Sequence, residues 1–518
     1  GYTSLKKIKN NMKTKQILLA LTLSGITTCF PILNNLNAAE NGSARNEQFR
    51  PQVHYSPAVN WTNDPNGMFY LNGTYHLYYQ HNPNGNKWGP MHWGHASTKD
   101  LVHWEDHPIA LYPDDLGTIF SGSAVVDTLN TAGFGVNAVV AIFTSAGKVQ
   151  AQSIAYSTDG GTTFTKYEGN PVIKNPGVAD FRDPKVIWYP KENKRVMALA
   201  TGATISFFES KNLKEWNKTS EFGKDIGSHT GVWECPDLFP LPLKGQEKWV
   251  LFVSNGGVPN GGTATQYFVG TFDGKTFTAD PAPYPLWIDY GKDNYASVSW
   301  SNVPRNRRMI MGWMSNWDYA NDVPTEIWRN GFTLPRELSL ISHRDGHALL
   351  QFSVPDEVEH YFKRETRDVK KTIKYNSTRE FSARNQGNPW KADIEFEHAN
   401  NSELLLTLSN KFGEKLDITL NIRDEKAIIN RTESGLCNFS DRFTAQQSES
   451  PLYTNDDDLT ISIYVDTSSV EIFVEDGVAP QTTLVFPKTI YSELSIKNLT
   501  EPKIQADVEI SVAKSIWK

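Results

Sequence analysis

From about residue 50 to 340 the chain runs as short apolar stretches, rich in β-branched and aromatic residues, each cut off by Gly, Asn, Asp or Pro. "GTYHLYYQ" (73–80), "VVAIFTS" (139–145), "KVIWYP" (185–190) and "KWVLFVSN" (248–255) predict strands. Nowhere does an apolar period of 3.6 hold long enough to predict a helix. A weak echo recurs in "STKDLVHWEDHPIAL", "STDGGTTFTKYEGNPVI", "ESKNLKEWNKTSEF" and "GTFDGKTFTAD": a polar turn pair, then Trp or Phe. Its anchors Asp100, Asp159, Lys211 and Asp273 lie 59, 52 and 62 residues apart. A period of that size suits one propeller blade of four strands with its connections. Four echoes plus the segment around Asp64 predict five blades.

After residue 345 the pattern changes. "SHRDGHALLQFSVPDEVEHYFKRETRD" reads as a charged connector. From about 370 onward, runs such as "ADIEFEHA", "ELLLTLSN" and "LTISIYVDTSSVEIFVEDG" alternate apolar and polar positions, as the strands of a β-sandwich do. The predicted fold is all-β: a five-bladed β-propeller over 48–350 followed by a C-terminal β-sandwich over 365–518. The sandwich carries just Trp390 and Trp517, so the tryptophan-rich surfaces belong to the propeller.

At 518 residues two domains are the natural division. A net charge of −7 gives no basic footprint for nucleic acid. The 15 Trp, 20 Tyr and 26 Phe serve a β core and also supply flat platforms for the CH faces of sugars. From Met12 to Ala39, two lysines, an apolar run from Ile17 to Leu23 and closing small residues have the layout of a secretory signal peptide. Export to the periplasm, the cell surface or the medium is expected, with no transmembrane segment elsewhere. Cys29 stands where a lipid anchor would attach, but Thr28 fits that box poorly. Cys235 and Cys437 lie far apart in sequence and predict no disulfide.

Three acids share a local signature. Asp64 lies in "NDPN", Asp183 in "FRDP" and Glu234 in "WECPDLF", each followed at once or one residue later by proline. Proline biases the residue before it toward extended geometry and removes a backbone donor. Taken singly, each motif reads as a turn former. Taken together, at the strand ends that a propeller gathers around its channel, they supply what glycosidic hydrolysis needs: one carboxyl group as acid and one carboxylate as nucleophile or base. Glu234 beside Trp233 and Cys235 reads as the apolar setting of the acid. Asp64 between Asn63 and Asn66 reads as the polar setting of the charged partner.

"WTNDPNG", "FSGSAV" (120–125), "FRDP" and "WECPDLF" resemble, in order, the signature motifs of glycoside hydrolase family 32, the invertases, inulinases and levanases. "YYQHNP", "WGPMHWGHA", "GWMSNW" and "SSVEIFVEDG" are similar to it as well. The resemblance implies a propeller followed by a sandwich and a retaining double displacement on β-fructosides. It implies Asp64 as nucleophile, Glu234 as general acid/base and Asp183 as transition-state stabiliser. It also implies Asn63, Gln80, Trp88, Phe120, Ser121, Arg182 and Trp313 around the terminal fructosyl unit. Thr62 departs from the usual apolar residue there, which would alter the shape of a subsite.

His92, His95, His103 and His107 do not have the spacing of a metal site, so neither metal nor cofactor is expected. "GTFDGKT" misses the phosphate-loop spacing, and no Gly-x-Ser-x-Gly is present. "SNGGVPNGGT" reads as a flexible loop on the propeller rim. Two other functions share the sequence: a fructan-binding protein without turnover, and a fructosyltransferase with the same first step. Levan, inulin and sucrose present the same terminal unit, so the preferred substrate, and exo against endo action, stay open at this stage.

Overall fold

The computed structural model describes residues 45–257, 259–365, 369–454, 457–475 and 477–517. The segment 12–39 read as a signal peptide, with Cys29, lies outside the described residues. Among the described residues up to Ser353 the chain forms five sheets, each built on four antiparallel strands that follow one another along the chain, except that the short strand Trp328–Arg329 leaves the fifth sheet's run to join the first. The first strands of these sheets are Asn60–Leu71, Thr118–Asp127, Phe181–Tyr189, Glu234–Leu243 and Tyr295–Ser299. Each touches the next, and the last returns to the first. This closed ring of innermost strands is the arrangement of a propeller. The ring is completed by a short parallel pairing, in which Asn60 and Trp61 meet Trp328 and Arg329 from the end of the chain's circuit.

The sequence echo marks one position in this plan. Asp100, Asp159, Lys211 and Asp273 all sit in the turn between the third and fourth strands of a sheet. The strand of Asp64 therefore belongs to the same sheet as the Asp100 echo, and does not add a blade of its own. The fifth sheet runs from Tyr295 to Ser353, and its corresponding turn holds Asp345. That turn and the strand Ala348–Ser353 fall in the stretch read as a connector. The sequence reading missed them because "HRDG" lacks the aromatic residue that follows the other anchors.

A four-residue helix, Asp356–Glu359, leads into two further sheets of seven and six strands. Their facing sides bury Leu404, Leu406, Ile418, Ile461, Ile463, Ile496 and Val508, the alternation expected of a sandwich core. The sandwich is bonded firmly to the propeller. Arg336 reaches Asp289 (2.8 Å) on one side and Glu471 (2.9 Å) on the other, and Arg431 pairs with Asp293 at 2.6 Å. In the loop read as a flexible rim, Asn260 donates to the Glu449 carbonyl at 3.0 Å, so that loop is tied to the sandwich.

Candidate active site

All five innermost strands are interrupted near their starts. The ladder slips between Thr62 and Pro65, Ile119 and Gly122, Glu234 and Asp237, and Tyr295 and Val298. Opposite Ala198–Ala200 it slips over Asp183–Pro184. A bulge leaves residues out of the ladder and re-aims their side chains. The prolines of "RDP" and "ECP" sit in these bulges, where a missing N–H costs no ladder bond, and that of "NDP" resumes the ladder opposite Tyr79. Asp183 and Cys235 also adopt left-handed backbone, with φ of +69° and +46°, a strained state for residues with a Cβ that recurs at functional sites.

The bulges aim their side chains into one pocket of about 480 Å³, lined by Asn63, Asp64, Gln80, Trp88, Phe120, Ser121, Gln150, Asp180, Arg182, Asp183, Glu234 and Trp317. Nine of the ten residues expected from the sequence line it. Trp313 does not: it is fully buried behind Trp317, the rings 4.8 Å apart. Gln150, Asp180 and Trp317 were missed. Trp317 closes the same "GWMSNW" motif, and Asp180 stands three residues before Asp183, so both were within reach of the motif reading. Thr62 does not line the pocket. Its hydroxyl donates to the Gln80 carbonyl at 3.0 Å within the sheet, and the expected effect on a subsite finds no contact to act through.

Asp64 is buried and accepts three hydrogen bonds: from Ser121 Oγ (2.6 Å), Cys235 Sγ (3.2 Å) and Asn63 Nδ2 (3.2 Å). Asp183 accepts from the Cys235 N–H at 3.0 Å, and the Cys235 thiol lies 3.5 Å from the same oxygen. One residue thus sits against both aspartates, with Glu234 as its chain neighbour. Glu234 accepts from Tyr295 Oη at 2.5 Å and from Arg182 Nη2 at 3.0 Å. The second arm of Arg182 pairs with Asp180 at 2.7 Å.

These contacts reverse the expected environments. Glu234 does not sit in an apolar setting: its carboxyl is partly exposed and held by a phenol and a guanidinium. Asp64, for all its asparagine neighbours, is the more enclosed group. Burial, then the charge of Glu234, pushes its carboxyl above the usual range, and its three donors only partly offset this. Burial pushes Asp183 further, up to about 7, against the pull of Arg182 and with the help of Glu234 and Asp64. Local sequence neighbours point to either face of a strand, so they are a poor guide to what surrounds a carboxylate.

The pocket lining holds no histidine. A group with ligating atoms close enough for a metal, His343, Asp345 and His347, lies in the turn between the last two strands of the fifth sheet. Cys235 and Cys437 are both free thiols.

Comparison with known proteins agrees with this architecture. The model for the glycosyl hydrolases family 32 N-terminal domain matches residues 54–353, and that for the family's C-terminal domain matches residues 357–513. A levanase of Bacillus subtilis is 48% identical over 92% of this chain and 72% of its own length. An extracellular exo-inulinase of Aspergillus awamori is 36% identical over 89% of this chain and 94% of its own. The crystal structure of exo-inulinase from Aspergillus awamori superposes with a TM-score of 0.84 at 34% identity, covering 91% of this chain and 99% of that one. Two family models in the right order across the propeller and the sandwich, and relatives this similar along the chain, establish that it belongs to glycosyl hydrolases family 32.

Proposed function

We propose that the protein is an exported, retaining β-fructosidase that removes terminal fructosyl units from levan, inulin and sucrose. The observation that carries the reading is the convergence of three carboxyl groups from three sheets on one pocket, with Arg182 bonded across it to Glu234. The names of its relatives, levanase and extracellular exo-inulinase, support both the substrate class and export.

Asp64 is the nucleophile. It attacks C2 of the fructosyl ring while Glu234 gives a proton to the departing glycosidic oxygen, and the C2–O bond breaks as the ester to Asp64 forms. Glu234, now a carboxylate, takes a proton from water. The water oxygen bonds to C2, and Asp64 leaves as the carboxylate it was. Ser121 and Asn63 keep the nucleophile's oxygens aimed, and Tyr295 and Arg182 hold Glu234 on the opposite wall. Asp183 accepts from ring hydroxyls whose bonds strengthen as positive charge builds at C2. Trp88, half exposed at the rim beside Phe120, carries the next sugar ring on its face.

The test is product analysis with single variants. Wild-type protein is expected to release free fructose from levan, inulin and sucrose before any oligosaccharide appears. Asp64→Ala and Glu234→Ala should each still fold and melt cooperatively and lose at least about a thousandfold in kcat. Growth of longer oligosaccharides at high sucrose would make the protein a transferase. Turnover near wild type in either variant would remove that residue from its role.

A further inference from the structure

The innermost strands begin at the catalytic pocket and end at a second cavity, of about 450 Å³, on the opposite face of the ring. Its lining comes from the far ends of the same strands (Val125, Val126, Trp188, Tyr189, Leu238 and Pro240), joined by Arg195, Trp249 and Arg308. From Asp183 to Trp188 is five residues of strand, roughly 15 Å. The two cavities are therefore separate sites.

The charges at this second cavity do not balance. Of the charged residues that line it, Lys191 and Glu247 pair with each other at 2.9 Å, which leaves Arg195 and Arg308. Behind the wall, Lys185 and these two arginines have two buried acids, Asp127 and Asp237, as partners. Both acids are already engaged. Asp127 accepts from Thr131 N–H (3.0 Å), Thr131 Oγ1 (2.9 Å) and Ala132 N–H (2.8 Å). Asp237 accepts from Leu238 N–H (2.8 Å) and Ser299 N–H (2.6 Å), with Lys185 Nζ at 3.6 Å. Arg195, only 7% exposed, is left with Asp127 at 3.9 Å and a long bond of 3.4 Å to the Val126 carbonyl. The Nε atoms of Arg195 and Arg308 are both buried without a hydrogen-bond partner among the described residues. Arg308 lies over the face of Phe239 (5.0 Å) and Arg195 over that of Trp188 (4.9 Å). Burial pulls both guanidinium groups below their ordinary value, though arginine stays charged. Buried cations in excess of their acceptors are costly unless an anion joins them.

We propose that this cavity at the base of the propeller binds a phosphate-type oxyanion, free or as the headgroup of a small monoester, between Arg195 and Arg308. The guanidinium fork matches two oxygens of such a group, and the Trp188, Trp249 and Pro240 walls accept the apolar part of an ester.

The experiment is calorimetric titration of the intact protein at constant ionic strength, first with inorganic phosphate and then with phenyl phosphate. Saturable phosphate binding is expected, weakened at least about tenfold in Arg308→Gln and partly kept in Arg308→Lys. Tighter binding of phenyl phosphate would identify a monoester as the ligand, and equal binding the free anion. Thr128→Glu, on the exposed rim, supplies a built-in carboxylate without touching the core. It should abolish phosphate binding and raise the melting temperature. Rates of fructose release should be unchanged in all variants. The proposal is overturned if wild type shows no saturable heat, or if Arg308→Gln and Thr128→Glu bind as wild type does. It is equally overturned if phosphate competes with fructan substrate, which would put the anion at Arg182.

Discussion

Asp183 carries the clearest conflict between stability and chemistry. Its folded value of about 7 stands above the 3.8 of an ordinary aspartate, because burial disfavours the charged form. A raised value stabilises the fold fully below pH 3.8, and that contribution is lost as pH rises through about 7. Asp183→Asn keeps an acceptor for the Cys235 N–H and removes the titration. The variant should match wild type in melting temperature near pH 4 and exceed it by several degrees at pH 8, an advantage of order 2–4 kcal/mol, while kcat collapses. Melting curves at the two pH values check this, and a gap that stayed constant with pH would refute it. At this scale the sequence was informative about identity and weak about environment. The acids stood out by their prolines. The partners Tyr295 and Gln150 come from other strands with no motif to announce them, and Trp313 and Trp317 cannot be told apart until the backbone shows which ring faces the pocket.

The strand with a bulge near its start is the element on which the site depends. In Thr118–Asp127 the slip falls between Ile119 and Gly122, which delivers Phe120 and Ser121 to the pocket. Gly122 permits it: a Cβ there would lie 1.9 Å from the Ile142 carbonyl oxygen of the neighbouring strand. Gly122→Ala should force those strands apart, lower stability by ~2 kcal/mol or more, and draw Ser121 away from Asp64. Reduced kcat with a lowered melting temperature is expected, and wild-type values for both would show that the strands adjust. Strand existence was legible from composition because β-branched and aromatic runs between turn residues admit little else. The bulges were not, since a ladder slip is a relation between two strands. The echo was legible as a period and misjudged in phase: it marks each sheet's outer turn, while the motif of Asp64 marks an inner strand.

At the scale of the whole molecule, propeller and sandwich are joined by buried ionic groups whose titration limits the pH range of the assembly. His54, just ahead of the first sheet, lies between Asp466 (2.7 Å) and Glu471 of the sandwich, and Glu471 also holds Arg336. Burial alone would pull His54 down, but the charge of Glu471 and the bonds to both acids outweigh it and hold the imidazole at about 9. Asp466 and Glu471 are held below their ordinary values, against burial, by the same partners. The signs set two edges. The histidine's contribution is complete below its unfolded value of 6.5 and is lost as pH rises through about 9. The contribution of the acids is present above pH 4 to 5 and is lost as pH falls below it. The pair of edges predicts a plateau in these groups' contribution from about pH 5 to 6.5 and a decline from about 6.5 to 9, worth of order 3 kcal/mol for the histidine. In His54→Gln the alkaline decline should vanish while the plateau drops, because a neutral amide cannot answer two buried carboxylates. Melting temperature measured from pH 5 to 10 in both proteins decides it. Parallel curves would mean that His54 is neutral in the folded protein and that the alkaline decline has another source.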